Sequence, residues 1–545
     1  MRRVPLLLTL LALLPIVAVQ GVDAQALPQT WQEQQNYRSG PTPFEPLMDF
    51  WYELDAISEK VSMRPLTHTL LGREMFLITI ANIPITTPQD ALRSGKTIVL
   101  LAPSVHGGEV SPKEAIQLVA KELVAGDLQS VLDDVIVLAL PLVNPDGGEV
   151  RRRTNEAGFD MNRDYVKLES QEIQALVTQV MNEWTPDIHV DGHHGGSAPY
   201  VITYQGTLNP AADAELRAYP YDEIFPRIRE AVRAEDYASF DYSGVSTQDG
   251  VRGWGSTSVE ARKHHVYTGL TNSIGILLET PNNRLRVMRD GSLREIPEEE
   301  RYYHQIRGGV IATSTILRHA AERREEIRAL TTASRLRAIS AGATGDVPVV
   351  LEYSLGNRGN EPVWMPNSEA PNGYSLDNVP VYLKWEPTRT TTRPVGYLLP
   401  PSMAQVVPLL QDHDIAVYQF RDPAAFDAEV YYATSVTRDS YFQGHYLKSV
   451  DVEKEAERVE VASGWYWVPT AQSRGNLITY ILEPETDDNV ITWGWVDHIL
   501  QVTADGGNAR QRVPMMRVMT HQYLPVVEVQ PFNLFQRNRY FRPGY

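Results

Sequence analysis

The chain is predicted to be an α/β protein: a mixed, mostly parallel central sheet flanked by helices, followed by a mainly β second unit. Two observations carry this prediction. From about Pro41 to Leu330, short apolar runs alternate with helical patterns, as sheet strands and their covering helices do. Beyond about Ala341 the texture changes to strand-like segments separated by Pro, Gly and Asn. At 545 residues the chain exceeds one ordinary domain, so two units are expected, at residues 41–335 and 345–545.

The elements follow in order. Arg2-Arg3 precede an almost wholly apolar stretch from Val4 to Val19, and small residues at Val22-Asp23-Ala24 suit cleavage after Ala24, with a second option after Ala26. Residues 1–24 are therefore read as a signal peptide, which predicts a secreted or periplasmic protein with no membrane span after its removal. Thr97 to Ala102 and Val135 to Leu140 are buried-strand runs. A helix is predicted after Glu109, with Ser111 as N-cap, Pro112 in the first turn and Glu114 completing a capping box. Its apolar positions Ala115, Ile116, Val119 and Leu123 fall at helical spacing. A second helix spans about Gln171 to Trp184, a strand Ile274 to Leu278 ends in Glu279, and a long helix covers about Glu298 to Arg328. In the second unit Val347 to Tyr353, Val379 to Trp385, Val459 to Val461 and Tyr466 to Val468 read as strands, with a short helix at Ser402 to His413.

Composition removes several function classes. A net charge of −18 and a pI of about 5.2 argue against a nucleic-acid partner. There are no cysteines, so neither a disulfide framework, a thiolate metal site nor a Cys nucleophile is available. HExxH and GxSxG motifs are absent. Ser94-Gly95-Lys96-Thr97 lacks the earlier Gly of a phosphate loop and precedes a strand, which makes it a turn. Trp465-Tyr466-Trp467, Trp493 and Trp495 are read as core or sheet-surface aromatics before a carbohydrate platform.

In sheets of this kind ligands sit at the carboxyl ends of strands, where His106, Asn144, Asp191 and Glu279 all fall. His106-Gly107-Gly108-Glu109 can offer two metal ligands from one tight turn. The segment His189-Val-Asp191-Gly-His193-His194 offers a third, with His193 preferred at the strand end and His194 and His189 as alternatives. Further motifs follow: Asn144-Pro145-Asp146-Gly147, then Arg153 with Gly158-Phe-Asp160-Met-Asn162-Arg163, and finally Leu277-Leu278-Glu279-Thr280.

In order and spacing this set resembles the zinc metallocarboxypeptidase family, the carboxypeptidase A-like peptidases. The resemblance covers roughly Pro41 to Leu330. It implies that His106, Glu109 and His193 bind one Zn2+ per chain and that Glu279 is general base for the metal-activated water. It further implies that Arg153 stabilises the oxyanion, that Asn162 and Arg163 grip the terminal carboxylate of a peptide substrate, and that Asp160 orients His106. The chemistry agrees: zinc brings a water pKa to about 7, and a planar guanidinium matches a carboxylate through two parallel hydrogen bonds. Arg151 is the alternative to Arg153, and Asp146 is read as structural within a turn-forming tetrad. Two departures stand out: Asp164 follows Arg163 where many relatives carry Asn, and Tyr267 is the candidate substrate-capping tyrosine although it lies only 12 residues before Glu279. The activity this implies is removal of C-terminal residues from peptides. A related zinc amidase or deacylase, a cell-wall peptide hydrolase, and a non-catalytic binding protein are the alternatives.

Overall fold

The computed structural model describes residues 27–197, 199–502 and 510–530. The expected signal segment lies outside them. No helix among the described residues is long and apolar enough to cross a membrane.

The first half builds an eight-stranded sheet. Its strands are β1 (Val61–His68), β2 (Glu74–Ile80), β3 (Thr97–Pro103), β4 (Val135–Ala139), β5 (Ile188–His194), β6 (Ile202–Gly206), β7 (Ser239–Asp241) and β10 (Ile274–Thr280), in the order β1-β2-β4-β3-β5-β10-β6-β7. The inner strands β4, β3, β5 and β10 run parallel, while β1, β2 and β6 join antiparallel. The continuous apolar runs are explained by burial on both faces. Ile98, Leu100 and Ala102 of β3 enter one apolar cluster, while Val99 and Leu101 enter the other. Helices Phe44–Ile57, Ser111–Ala125, Phe225–Ala234 and Glu298–Glu322 cover that second face.

Local predictions fail where tertiary partners outcompete local ones. Ser111 is the first helical residue and not the cap, and its hydroxyl meets Thr280 Oγ1 at 2.6 Å. Glu114 turns from the expected capping box to accept from the Thr42 N–H and hydroxyl and from Tyr302. The Asn144 tetrad forms a short helix, Pro145–Glu149, in which the Asn144 side chain caps the Gly147 N–H at 2.9 Å. Asp146 is structural: it is buried and takes Arg73, Thr69 and the Leu71 N–H. The helix expected over Glu298 to Arg328 breaks at Arg323, whose φ and ψ of −113° and 24° are not helical, and resumes as Arg324–Thr344.

The intervening and C-terminal strands are β8 (Gly244–Gln248), β9 (Val251–Gly255), the small hairpin β11 (Leu285–Val287) and β12 (Leu293–Glu295), β13 (Val349–Pro366), β14 (Tyr374–Thr391), β15 (Gly396–Leu399), β16 (Tyr418–Phe420), β17 (Ala424–Phe442), β18 (His445–Val461), β19 (Tyr466–Pro469), β20 (Gln511–Val518) and β21 (Val526–Glu528). An antiparallel sheet of seven runs β18-β17-β20-β15-β19-β16-β21. The hairpins β13–β14 and β17–β18 have strands of 17 to 19 residues, where five or six is usual. The first hairpin adds β14 beside β9 of the N-terminal half, pairing Val381 with Trp254 and Tyr382 with Gly255. One apolar cluster also joins the halves, running from Ile98, Leu100 and Leu138 of the central sheet to Leu410, Leu477, Val490 and Val513. Trp467 and Trp493 are buried.

Candidate active site

The site lies where β3, β5 and β10 end. Beyond β3, Ser104 adopts a left-handed φ of 59°, its N–H donates to Gly192 O, and its hydroxyl donates to Glu109 O, which folds the His-Gly-Gly-Glu turn over the sheet edge. Gly107 is required in that turn. A Cβ there would stand 2.1 Å from the Gly147 carbonyl carbon, so the turn packs backbone to backbone on the Asn144-capped helix.

Three ligand atoms converge. His106 Nδ1 lies 2.8 Å from Glu109 Oε1, His193 Nδ1 lies 2.7 Å from Glu109 Oε2, and the two Nδ1 atoms are 3.2 Å apart. The donor atoms of the three residues all lie within 4.8 Å of one another. Each histidine places its other ring nitrogen on a carboxylate, His106 on Asp160 and His193 on Asp191, both at 2.9 Å. That arrangement fixes the ring orientation and leaves Nδ1 as the ligand atom. Burial opposes ionisation of Glu109, but His193 and His106 hold its carboxyl well below the usual range. Two imidazoles and a carboxylate backed by carboxylates fit a dication such as zinc.

The open alternatives are placed differently. His194 turns its ring to Asn282 and gives only its backbone N–H to Glu109. His189 packs away from the ligand atoms against His264. Of the three arginines, Arg153 lines the cleft and reaches Asp160 and Glu109, while Arg151 is exposed elsewhere and Arg152 pairs with Glu156.

Glu279 stands beside His193 because the parallel β5 and β10 pair these two residues in register. Gly196 allows the approach, since a Cβ there would fall 2.5 Å from Glu279 Cβ. Burial pushes the Glu279 carboxyl up to about 8; His193 pulls it down, and the Glu109 and Asp191 charges push it further up. Its Oε2 is buried with no hydrogen-bond partner among the described groups.

The cleft of about 440 Å³ brings together His106, Glu109, Arg153, Asn162, Arg163, His193 and Glu279. Asn162 is tied at both ends of its amide: Oδ1 accepts from the His264 N–H, and Nδ2 sits on His193 and Asp191. Arg163 donates to the Asn162 carbonyl through a single nitrogen.

Tyr267 is not in the cleft. It is fully buried in the core with its hydroxyl 2.8 Å from His413 Nδ1, because it sits on the inward face of helix His264–Leu270. The tyrosine that lines the cleft is Tyr242, whose phenol is raised above its ordinary pKa by burial and by the Glu279 and Glu109 charges. Sequence reasoning missed Tyr242, and it also missed Asp191 as the His193 partner. The His-x-Asp-x-His alternation, which places Asp191 and His193 on one face of a strand, was the available signal for the latter.

One family and several known proteins resemble this chain. The family described as zinc carboxypeptidase matches residues 47–234, a segment that contains all three ligands. Carboxypeptidase 2 of Trichophyton rubrum is 21% identical over 430 residues, covering 74% of each protein. Carboxypeptidase 2 of Trichophyton equinum is 23% identical over 430 residues at the same coverage. A metallo-carboxypeptidase from Pseudomonas aeruginosa, solved in complex with (2-guanidinoethylmercapto)succinic acid, is 19% identical with a TM-score of 0.40, covering 53% of this chain and 70% of that one. Residues 47–234, which hold the histidine-glutamate cluster, are thus similar to the zinc carboxypeptidase family.

Proposed function

We propose that this protein is an exported zinc carboxypeptidase that removes residues one at a time from peptide C-termini. The observation that carries the reading is the convergence of His106, Glu109 and His193 on one point, with Glu279 beside them on the neighbouring strand. Zinc held there, one per chain, would supply a water acidified to near neutrality.

The chain's own residues then have distinct tasks. Glu279 takes the proton of the attacking water at Oε2 and returns it to the leaving amine, a role suited to a carboxyl whose burial raises its proton affinity. The Arg153 guanidinium faces the carbonyl oxygen as charge develops on it. Arg163 binds the substrate's terminal carboxylate, and Asn162 holds the His193–Asp191 pair and the start of helix His264–Leu270 in place. Tyr242 lines the cleft that receives the substrate. The apolar leader at residues 4–19 supports export.

The test is hydrolysis of N-blocked peptides by purified protein with about one zinc per chain, abolished by a chelator. Glu279→Gln is expected to retain zinc and lose turnover by about two orders of magnitude or more; near-normal rates would refute the assignment. A C-terminally amidated peptide should be a far poorer substrate, and equal cleavage of the amide would point to an amidase.

A further inference from the structure

The cleft continues past Arg163 to a buried ammonium that the mechanism does not use. Lys263 stands immediately before helix His264–Leu270 and lines the cleft with Ser256, Ser258 and Leu277. Its side chain is only 11% exposed. An ammonium has three N–H donors. Lys263 spends one on Glu260 Oε2 at 2.6 Å and one on Ser258 Oγ at 3.1 Å. Burial pushes its pKa below the ordinary lysine value; Glu260 opposes that, and the charges of Arg163 and Arg262 add to it. Two of its three donors are thus engaged by Glu260 and Ser258. Among the described residues, the carboxylates that line the cleft are Glu109 and Glu279, both at the metal end. The Lys263 end offers hydroxyls, an imidazole and one leucine wall.

Resting on the carboxypeptidase reading, we propose that this end of the cleft is the side-chain subsite for an acidic terminal residue, Asp or Glu, whose carboxylate is received by Lys263 Nζ and the Ser258 hydroxyl. A large apolar side chain would cover the ammonium without satisfying it. A basic one would meet Lys263 and Arg163 together. An acidic side chain supplies the missing acceptor while Arg163 holds the backbone carboxylate.

The experiment is a panel of N-blocked dipeptides that differ only in the last residue, Glu, Asp, Gln, Leu, Phe or Arg, hydrolysed by the full-length zinc enzyme. Glu or Asp is expected to exceed Leu, Arg and the isosteric Gln in kcat/KM by about tenfold or more, the size of one charged hydrogen bond. Lys263→Met should reduce the Glu-to-Leu ratio by a similar factor, and Lys263→Arg should preserve the acidic preference. A wild-type preference for Leu, Phe or Arg, or a ratio unchanged in Lys263→Met, overturns the subsite. Turnover of none of the six peptides instead overturns the exopeptidase reading on which it stands. The wild-type panel decides the question even where a variant fails to fold.

Discussion

At the scale of single residues, what the site needs is orientation. His193 turns Nδ1 toward Glu109 because Asp191, itself fully buried, occupies the opposite ring nitrogen. Asp191→Asn is nearly isosteric and removes only that charge. It is expected to weaken zinc binding by about 10- to 100-fold, read by competition with a chromophoric chelator; unchanged affinity would make Asp191 a packing residue. The candidate cluster of His106, Glu109 and His193 was legible in the sequence because a metal constrains residue type and spacing tightly. His193 was separable from His194 once strand alternation was applied. Tyr267 misled because a tyrosine carries no local mark of which face of its helix it will occupy, and here that face looks into the core toward His413. Tyr242 lies in the bend after β7, where no periodicity marks which way a side chain turns.

At the scale of elements, the long hairpin β17–β18 is the feature that binary patterning alone would not have placed. It closes through Gln443-Gly444, both at positive φ, a two-residue turn whose twist matches its strands. The tip docks on the segment that carries the His106 partner: Gln443 Oε1 accepts the Asp160 N–H at 2.8 Å, and His445 pairs with Glu169 at 2.7 Å. Burial alone would raise the Glu169 carboxyl, but the His445 hydrogen bond and the Lys167 charge outweigh it and hold the carboxyl below its ordinary value. A depressed carboxyl contributes stability that is fully present above its unfolded pKa, about 4.3, and is lost as the pH falls through the folded value. The Asp160 amide should therefore lose protection from hydrogen exchange below about pH 4, and Glu169→Gln should remove that pH dependence. Constant protection into strong acid would show that the pair does not hold the tip. The same lesson applies to the misplaced cap at Ser111 and the helix break at Arg323. Ser111 is drawn by a partner remote in sequence, Thr280, and the break at Arg323 has no Pro or Gly to announce it.

At the scale of the whole molecule, the change of texture near Ala341 marks where helices give way to strands, but the packing does not stop there. Helix Arg324–Thr344 runs through that point, β14 extends the sheet begun by β8 and β9, and one apolar cluster spans both halves. A chain ending at residue 344 would expose the sheet face now covered by Leu410, Leu477 and Val490, a patch far larger than soluble monomers tolerate. Such a truncation is expected to be insoluble or to lack cooperative unfolding, and the intact protein to unfold in one thermal transition. A soluble, active fragment would show that the halves are independent. Sequence texture reports secondary structure composition, and composition is silent on which surfaces are shared.

The contact between Gln443 and Asp160 joins positions 283 residues apart in the chain. A polypeptide made N-terminus first presents both histidines of the cluster long before it presents the glutamine that holds the segment of Asp160, the partner of His106. The support of the centre is thus completed only when most of the chain has been made.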